Sequence, residues 1–199
     1  MSPLLRRLVG LVAVFTLMPA VVTAQSAQRF SAQGSLLRVS PSGDAYSGLG
    51  AGMGFEAQLR YTPSAFSIGA GYQSSSHTLE FDDGSTDDVT LAGPFLEPRY
   101  VLAVGSESYA PYLAGRLALL TQSLEFEGVE ASASGTQINI GGGVLVRLAS
   151  RVNLDLGFTY GAIDFDDVEV VYQGVTYIVE GSSGSGKNLV MRVGATVGI

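Results

Sequence analysis

Residues Arg151–Tyr160, RVNLDLGFTY, alternate apolar side chains with polar or small ones without interruption. Successive side chains of a β-strand point to opposite faces, so a period of two predicts a strand with one apolar face. A tilted strand of about 9–11 residues is long enough to cross a bilayer. The apolar face of this stretch holds Val152, Leu154, Leu156, Phe158 and Tyr160.

The same period recurs through the chain. It is clear at residues 49–61, 66–72, 138–148 and 189–199, and weaker at about 29–39, 89–103 and 109–121. The chain also holds 26 glycines spread through its apolar segments, and each glycine inside a helix would cost about 1 kcal/mol. The sequence therefore predicts an all-β protein of eight strands.

The connections between these segments alternate in length, as in an up-and-down meander. The short ones are residues 62–65, 105–108 and 149–151, and the long ones lie around 74–88, 122–136 and 162–188. Most of the 18 carboxylates fall in the long connections or in the first one, near 41–47. One end of the predicted strand array therefore has short turns with few carboxylates, and the other end has long, acidic loops.

Folding the strands about the short turns predicts their register. It places Tyr61 opposite Phe66, Glu97 opposite Arg116, and Arg147 opposite Asn153. In each pair the two side chains then share a face, as an antiparallel ladder requires.

Alternation alone does not decide which face points outward, and a secreted lipocalin-like barrel would carry its apolar face inside. The charges favour an apolar exterior. Only 15% of the residues are charged, against about 25% in typical soluble domains, and the polar strand faces carry mainly Gly, Ser, Thr, Gln and Asn. Aromatic side chains flank two short turns, as an interfacial girdle would: Tyr61, Phe66, Tyr100 and Tyr109.

The first residues are typical of a secretory signal peptide. Arg6 and Arg7 precede an apolar run over residues 8–18, and small residues end at Ala24, which predicts a cleaved signal at 1–24 and a barrel domain at 25–199. Loss of those two arginines leaves nine basic against 18 acidic residues, which argues against a nucleic-acid partner. With no Cys and one His, a disulfide scaffold and a Cys- or His-rich metal site are excluded.

Gly181–Asn188, GSSGSGKN, is similar to a phosphate-binding P-loop except that Asn188 stands where Ser or Thr is required. A working P-loop opens a helix, but an alternating strand follows here. We therefore expect no nucleotide binding and interpret Gly181–Lys187 as an external loop.

Together, the signal, the eight alternating segments and the unequal connections resemble the small eight-stranded outer-membrane β-barrels of the OmpA/OmpX type. The resemblance implies an up-and-down antiparallel transmembrane barrel with short periplasmic turns and longer acidic extracellular loops. It implies a monomer with no cofactor, surrounded by outer-membrane lipid and lipopolysaccharide. It also implies periplasmic chaperones and the barrel-assembly machinery as partners during biogenesis.

The polar strand faces then line the lumen, where charges must be paired. We expect a hydrogen-bonded network there, acting as a structural plug or as a narrow ion path or gate. Its members are Glu56, Arg60, Glu97, Arg99, Arg116, Arg147, Asp155 and Arg192.

The long connections carry two further candidate sites. Residues 168–179 predict a hairpin about Gln173-Gly174, which forms either an adhesive or ligand-capturing ribbon or a plain solvated loop. Loop carboxylates offer oxygen ligands for a divalent cation that would bridge to lipid phosphates, or simply form an acidic rim. These are Asp82, Asp83, Asp87, Asp88, Asp164, Asp166 and Asp167.

Lipid-modifying catalysis is the competing class of function. The sole candidate base is His77, which the alternation of its strand points inward beside Ser75 and Gln73. His77 lacks the His-x-Ser pattern of the lipid A deacylases. We therefore expect a barrel that is not an enzyme.

Overall fold

The computed structural model describes residues 29–43, 46–81, 84–126 and 129–199. The predicted signal peptide at 1–24 lies outside these residues. No helix in this part of the chain is both long and apolar enough to cross a membrane.

The described residues form ten antiparallel strands joined in one sheet. They are β1 (Phe30–Ser42), β2 (Gly52–Tyr61), β3 (Phe66–Glu80), β4 (Thr86–Val101), β5 (Tyr109–Phe126), β6 (Val129–Ala149), β7 (Val152–Phe165), β8 (Val168–Tyr172), β9 (Val175–Val179) and β10 (Gly184–Gly198). Pairing runs from β5 through β4, β3, β2, β1, β10 and β7 to β6, and β5–β6 pairing closes the ring. The eight-stranded antiparallel barrel is thus confirmed, and the hairpin β8–β9 is attached to its rim.

The apolar stripe of each strand lies on the outside. Leu36, Leu59 and Ile140 are 67%, 64% and 73% exposed, whereas Glu56 and Glu97 on the opposite face are 2% and 0% exposed. Hydrocarbon offers no hydrogen-bonding partner to a sheet edge, so only a closed barrel can present this surface to lipid.

The predicted register is right at two of the three short turns. Arg147 pairs with Asn153, and the β4–β5 register that pairs Leu96 with Leu117 places Glu97 opposite Arg116. The third prediction is wrong, because Tyr61 pairs with Ile68 rather than with Phe66.

The cause of that error lies at the end of β2. The Thr62 amide donates to the Arg29 carbonyl, and the next residue, Pro63, has no N–H to extend the ladder. Phe66 and Ser67 therefore pair only with β4. The slip is two residues, so every side chain keeps its predicted face.

The long connections are less irregular than predicted. The β3–β4 ladder extends to the pair Glu80–Thr86, and the β5–β6 ladder to Phe126–Val129. Hairpin β8–β9 turns through Gln173 and Gly174, both with positive φ (49° and 78°), as a type I′ turn requires. Its first strand pairs with residues 130–132 of β6. We call β8–β9 the ribbon, its end of the barrel the loop end, and the opposite end the short-turn end.

The interpretation of Gly181–Lys187 as a loop is wrong in its second half. Residues 184–187 belong to β10 and pair with residues 162–165 of β7. Gly186 faces inward, where an added Cβ would lie 2.5 Å from the ring of Tyr46. This position needs glycine for a close approach, and a run of Gly and Ser carries no hydrophobic alternation that would mark it as a strand.

Candidate functional sites in the lumen and on the ribbon

Seven of the eight predicted lumen charges come together at mid-barrel. Each occupies an inward position of its strand and is at most 5% exposed. We call this set the charge cluster: Glu56, Arg60, Glu97, Arg99, Arg116, Asp155 and Arg192.

Glu97 of β4 is the centre of the charge cluster. Its Oε1 lies 2.9 Å from Nη2 of Arg60 and 2.7 Å from Nε of Arg99. Its Oε2 lies 2.6 Å from Nη2 of Arg116 and 2.6 Å from Nη1 of Arg192. One carboxylate thus joins guanidinium groups from β2, β4, β5 and β10, which ties together strands from around the whole barrel.

The two other carboxylates complete the pairing. Glu56 accepts from Arg116 at 2.7 Å. Asp155 lies 2.9 Å from Nη1 of Arg99 and accepts from the Tyr112 hydroxyl at 2.6 Å and the Gln33 amide at 2.8 Å. Four arginines therefore meet three carboxylates and several neutral acceptors. Removing one carboxylate would enlarge the buried excess of positive charge, and removing Arg116 would leave Glu56 with only a 3.6 Å contact to Arg192 among the described residues.

Aromatic rings provide further contacts for the excess positive charge. The Arg116 guanidinium carbon lies 4.1 Å from the centroid of the Phe95 ring, and that of Arg99 lies 4.4 Å from the Tyr112 ring. Both distances suit cation–π attraction. Alternation alone did not identify these two aromatic residues, although both face inward: Phe95 lies four positions before Arg99 on β4, and Tyr112 four positions before Arg116 on β5.

Arg147 occupies a different environment from the other predicted lumen charges. It lies on β6 near the short-turn end, half-buried, and pairs in register with Asn153. The ladder is irregular between Arg147 and Ala149, so the strand bends where the barrel ends.

Apolar layers lie on both sides of the charge cluster, although the strand alternation predicted a lumen lined by polar side chains. At the short-turn end the layer comprises Val101, Ala110, Tyr112, Ala114 and Leu145. At the loop end a larger group, here called the cap, comprises Tyr46, Leu91, Phe95, Ala118, Leu120, Ile163 and Phe165.

Tyr46 enters the cap from the β1–β2 connection. Its side chain is 4% exposed and meets the Phe165 ring edge-on, with centroids 5.7 Å apart. Beneath the cap, the Asn139 amide donates to Asn188 at 2.8 Å, and Asn188 donates to Gln137 at 3.1 Å. Side chains thus fill the described lumen, as expected for a barrel of eight strands.

His77 lies inward beside Ser75, as predicted. Its Nε2 is 2.9 Å from the Ser75 hydroxyl, and its Nδ1 is 3.0 Å from the Gly50 carbonyl oxygen. This geometry is compatible with a base activating a hydroxyl. However, Ser75 is 4% exposed and His77 2%, which leaves a lipid acyl group no approach to the hydroxyl in this conformation.

The candidate cation ligands are scattered. Asp82 and Asp83 lie outside the described residues, while Asp87 and Asp88 are consecutive on β4 and so point to opposite faces. Asp164 is the penultimate residue of β7, and Asp166 and Asp167 lie in the connection before the ribbon. Within the described ranges, no three Asp, Glu, His or Cys side chains are grouped closely enough to hold a metal ion.

A closed barrel with an apolar exterior and a charged, filled interior is the architecture of an integral outer-membrane protein. The profile of the family described as "outer membrane protein beta-barrel domain" matches residues 8–179. The chain belongs to this family, and it is an outer-membrane protein.

Solved structures share the fold at low sequence identity. Neisserial surface protein A is 17% identical with a TM-score of 0.62, over 85% of this chain and 97% of the other. OprG from Pseudomonas aeruginosa is 12% identical with a TM-score of 0.58, over 88% and 98%. Ail, the attachment invasion locus protein of Yersinia pestis, is 13% identical with a TM-score of 0.53, over 85% and 97%. Comparison with curated proteins finds no significant match.

Proposed function

We propose that this protein is a monomeric, non-enzymatic barrel that anchors a surface-interaction element, the ribbon, in the outer membrane. The short-turn end faces the periplasm and the acidic loop end faces outside, with lipopolysaccharide around it. Periplasmic chaperones and the barrel-assembly machinery act during its insertion. The filled lumen supports an anchoring role rather than conduction, because the buried ion pairs and the cap occupy the path that an ion would need.

The single observation that carries this proposal is the open edge of β9. The strand order of the sheet ends at β9, and its five residues are all exposed, with Tyr177 at 54% and Ile178 at 63%. An edge strand presents unpaired N–H and C=O groups to any extended segment that can add to the sheet.

The hairpin geometry identifies which backbone groups are open. In a two-residue hairpin the residues that flank the turn, here Tyr172 and Val175, exchange hydrogen bonds, and every second pair does so thereafter. The N–H and C=O groups of Thr176 and Ile178 therefore point away from β8. Two exposed carboxylates lie close to this edge, Glu169 opposite Ile178 on β8 and Glu180 directly after β9, so the segment it fits is extended and basic.

A proline at an outward-facing amide tests the proposal. Ile178→Pro removes one open donor without removing a hydrogen bond between β8 and β9, while Ile178→Thr keeps the amide and the β-branched shape. We expect cells that carry the protein to adhere to extracellular-matrix-coated plates several-fold better than cells without it. Ile178→Pro should abolish this gain and Ile178→Thr should retain it.

Two results would contradict the proposal. One is equal adhesion of cells with and without the protein, measured with matched amounts of folded barrel. The other is an unchanged gain in Ile178→Pro cells, which would show that the β9 edge is not the contact. Ion conductance of the purified protein in planar bilayers would favour the narrow-pore alternative.

A further inference from the structure

A cationic side chain lies on the lipid-facing surface of β1. Arg38 is exposed, next to Leu36 on its own face and opposite Met53 of β2 and Met191 of β10. These three apolar neighbours are 67%, 58% and 42% exposed. Within the described residues the Arg38 guanidinium has no hydrogen-bond or ion-pair partner.

The height of Arg38 places it near the rim of the apolar band. β1 starts at Phe30, whose ring lies 5.0 Å from that of Tyr61 at the short-turn end. Eight residues at about 3.3 Å each, tilted by about 40°, raise Arg38 by about 20 Å. The apolar band of such barrels is about 25 Å tall, so the long Arg38 side chain can extend its charge to the headgroup level.

A second cation lies just above Arg38 on the neighbouring strand. Lys187 of β10 is exposed and pairs in register with Ser42, whereas Arg38 pairs with Met191. The two positions share the outward face and are separated by about 13 Å along the strands. Two long side chains reaching toward each other can contact one phosphate group or a pair of phosphates on one headgroup.

The outward surface where β1 pairs with β10, here called the β1–β10 seam, is the cationic part of the loop end. Among the residues that the structure describes, the nearest carboxylate by register is Asp164 of β7, diagonal to Lys187 through its pair with Ser185, and no ion pair joins the two. The exposed arginines Arg29 and Arg151 lie at the short-turn end. An anionic headgroup approaching the loop end therefore meets favourable charge on the β1–β10 seam and carboxylates elsewhere.

We propose that Arg38 and Lys187 form a binding site for the phosphate groups of a phosphorylated glycolipid in the outer leaflet. Arg38 supplies a planar fork that can donate two hydrogen bonds to phosphate oxygens, and Lys187 supplies a compact charge. The acyl chains of the glycolipid lie along Leu36, Met53 and Met191. This site is separate from the ribbon and goes beyond the proposed function, but its leaflet rests on the proposed orientation.

Native mass spectrometry of the folded protein in detergent tests the site. The probes are diphosphorylated lipid A, the same lipid with its phosphates removed, and phosphatidylglycerol. We expect wild-type protein to bind diphosphorylated lipid A at least tenfold more tightly than Arg38→Gln/Lys187→Gln protein. The matched control Arg29→Gln/Arg151→Gln should bind like wild type, and the dephosphorylated lipid should not distinguish the variants.

Equal binding by the Arg38→Gln/Lys187→Gln and wild-type proteins, or equal losses in the control protein, would overturn the site. A preference for phosphatidylglycerol would overturn the glycolipid assignment. Orientation is tested separately with Ser185→Cys, since the chain has no other Cys: an impermeant maleimide should label it on intact cells. Absence of labelling would overturn the outer-leaflet assignment and the proposed orientation together, whereas labelling with unchanged lipid binding would overturn the site alone.

Discussion

Glu97 and Arg116 lie opposite each other on β4 and β5, with 2.6 Å between Oε2 and Nη2, and neither residue is more than 2% exposed. We expect Arg116→Ala to lower the free energy of unfolding by about 3–5 kcal/mol, because it removes one of the four arginines around Glu97 and leaves Glu56 with only a 3.6 Å contact to Arg192 in the described part of the chain. The measurement is denaturant unfolding in detergent, followed by the mobility of the unboiled folded form on gels. Arg151→Ala, at an exposed turn, should change stability by less than about 0.5 kcal/mol. Equal effects of the two substitutions would refute the structural role of the ion pair.

The contact between Gly186 and Tyr46 predicts a second effect on stability. A Cβ at position 186 would lie 2.5 Å from the Tyr46 ring, so Gly186→Ala should overpack the cap and cost about 1–3 kcal/mol. Gly34→Ala is the matched control, since nothing lies within 4 Å of the added Cβ. Thermal unfolding monitored by circular dichroism would compare the two. If Gly34→Ala were as destabilising as Gly186→Ala, the cap would not be the cause.

We expect substitutions that unfold the ribbon to leave the stability of the barrel unchanged. Gly174 has φ of 78°, a conformation that costs an L-residue about 1–2 kcal/mol and a β-branched one more. Gly174→Val should therefore increase hydrogen exchange and protease cleavage within residues 168–179 while barrel unfolding stays unchanged. Thr176→Val, which alters only a side chain on the same hairpin, should leave both measurements at their wild-type values. Parallel loss of barrel stability in Gly174→Val would show that the ribbon and barrel fold as one unit.

The burial of Ser75 and His77 predicts that the protein leaves membrane lipids unmodified. Mass spectrometry of lipid extracts should show the same acyl pattern in cells with wild-type protein, with His77→Ala and with no protein. The His77→Ala barrel should be less stable by about 1–3 kcal/mol, because the substitution removes one hydrogen-bond partner of the Ser75 hydroxyl and the ring partner of the Gly50 carbonyl. An acyl pattern that depends on His77 would contradict the non-enzymatic role.

The period of two was sufficient to predict the strands, the inward face and seven of the residues that meet at mid-barrel. It was sufficient because parity alone fixes a face, so even the two-residue error at Tyr61 left Arg60 inside. Parity does not say which apolar residues on an inward face pack together, and it missed Tyr112 and Phe95 beneath the arginines.

Long-range packing explains the remaining differences. Tyr46 lies outside every alternating segment, and its place in the cap depends on β7 and β10, more than 100 residues away in sequence. Residues 184–187 have no apolar side chain, so only their ladder with β7 identifies them as a strand. The sequence therefore predicts the strands and faces of the barrel well, but it does not predict which side chains form the cap at the loop end.

The position of Glu97 has a consequence for the route by which the protein is made. The carboxylate on β4 takes one of its four cations from Arg192 on β10, the strand that seals the ring against β1. A partly inserted chain whose β10 has not yet paired would lack Arg192 in its charge cluster while the cluster already lies within the membrane. The pairing of β10 with β1 that closes the ring therefore also brings the last of the four guanidinium groups to Glu97, so the final strand stabilises the ring and the charge cluster together.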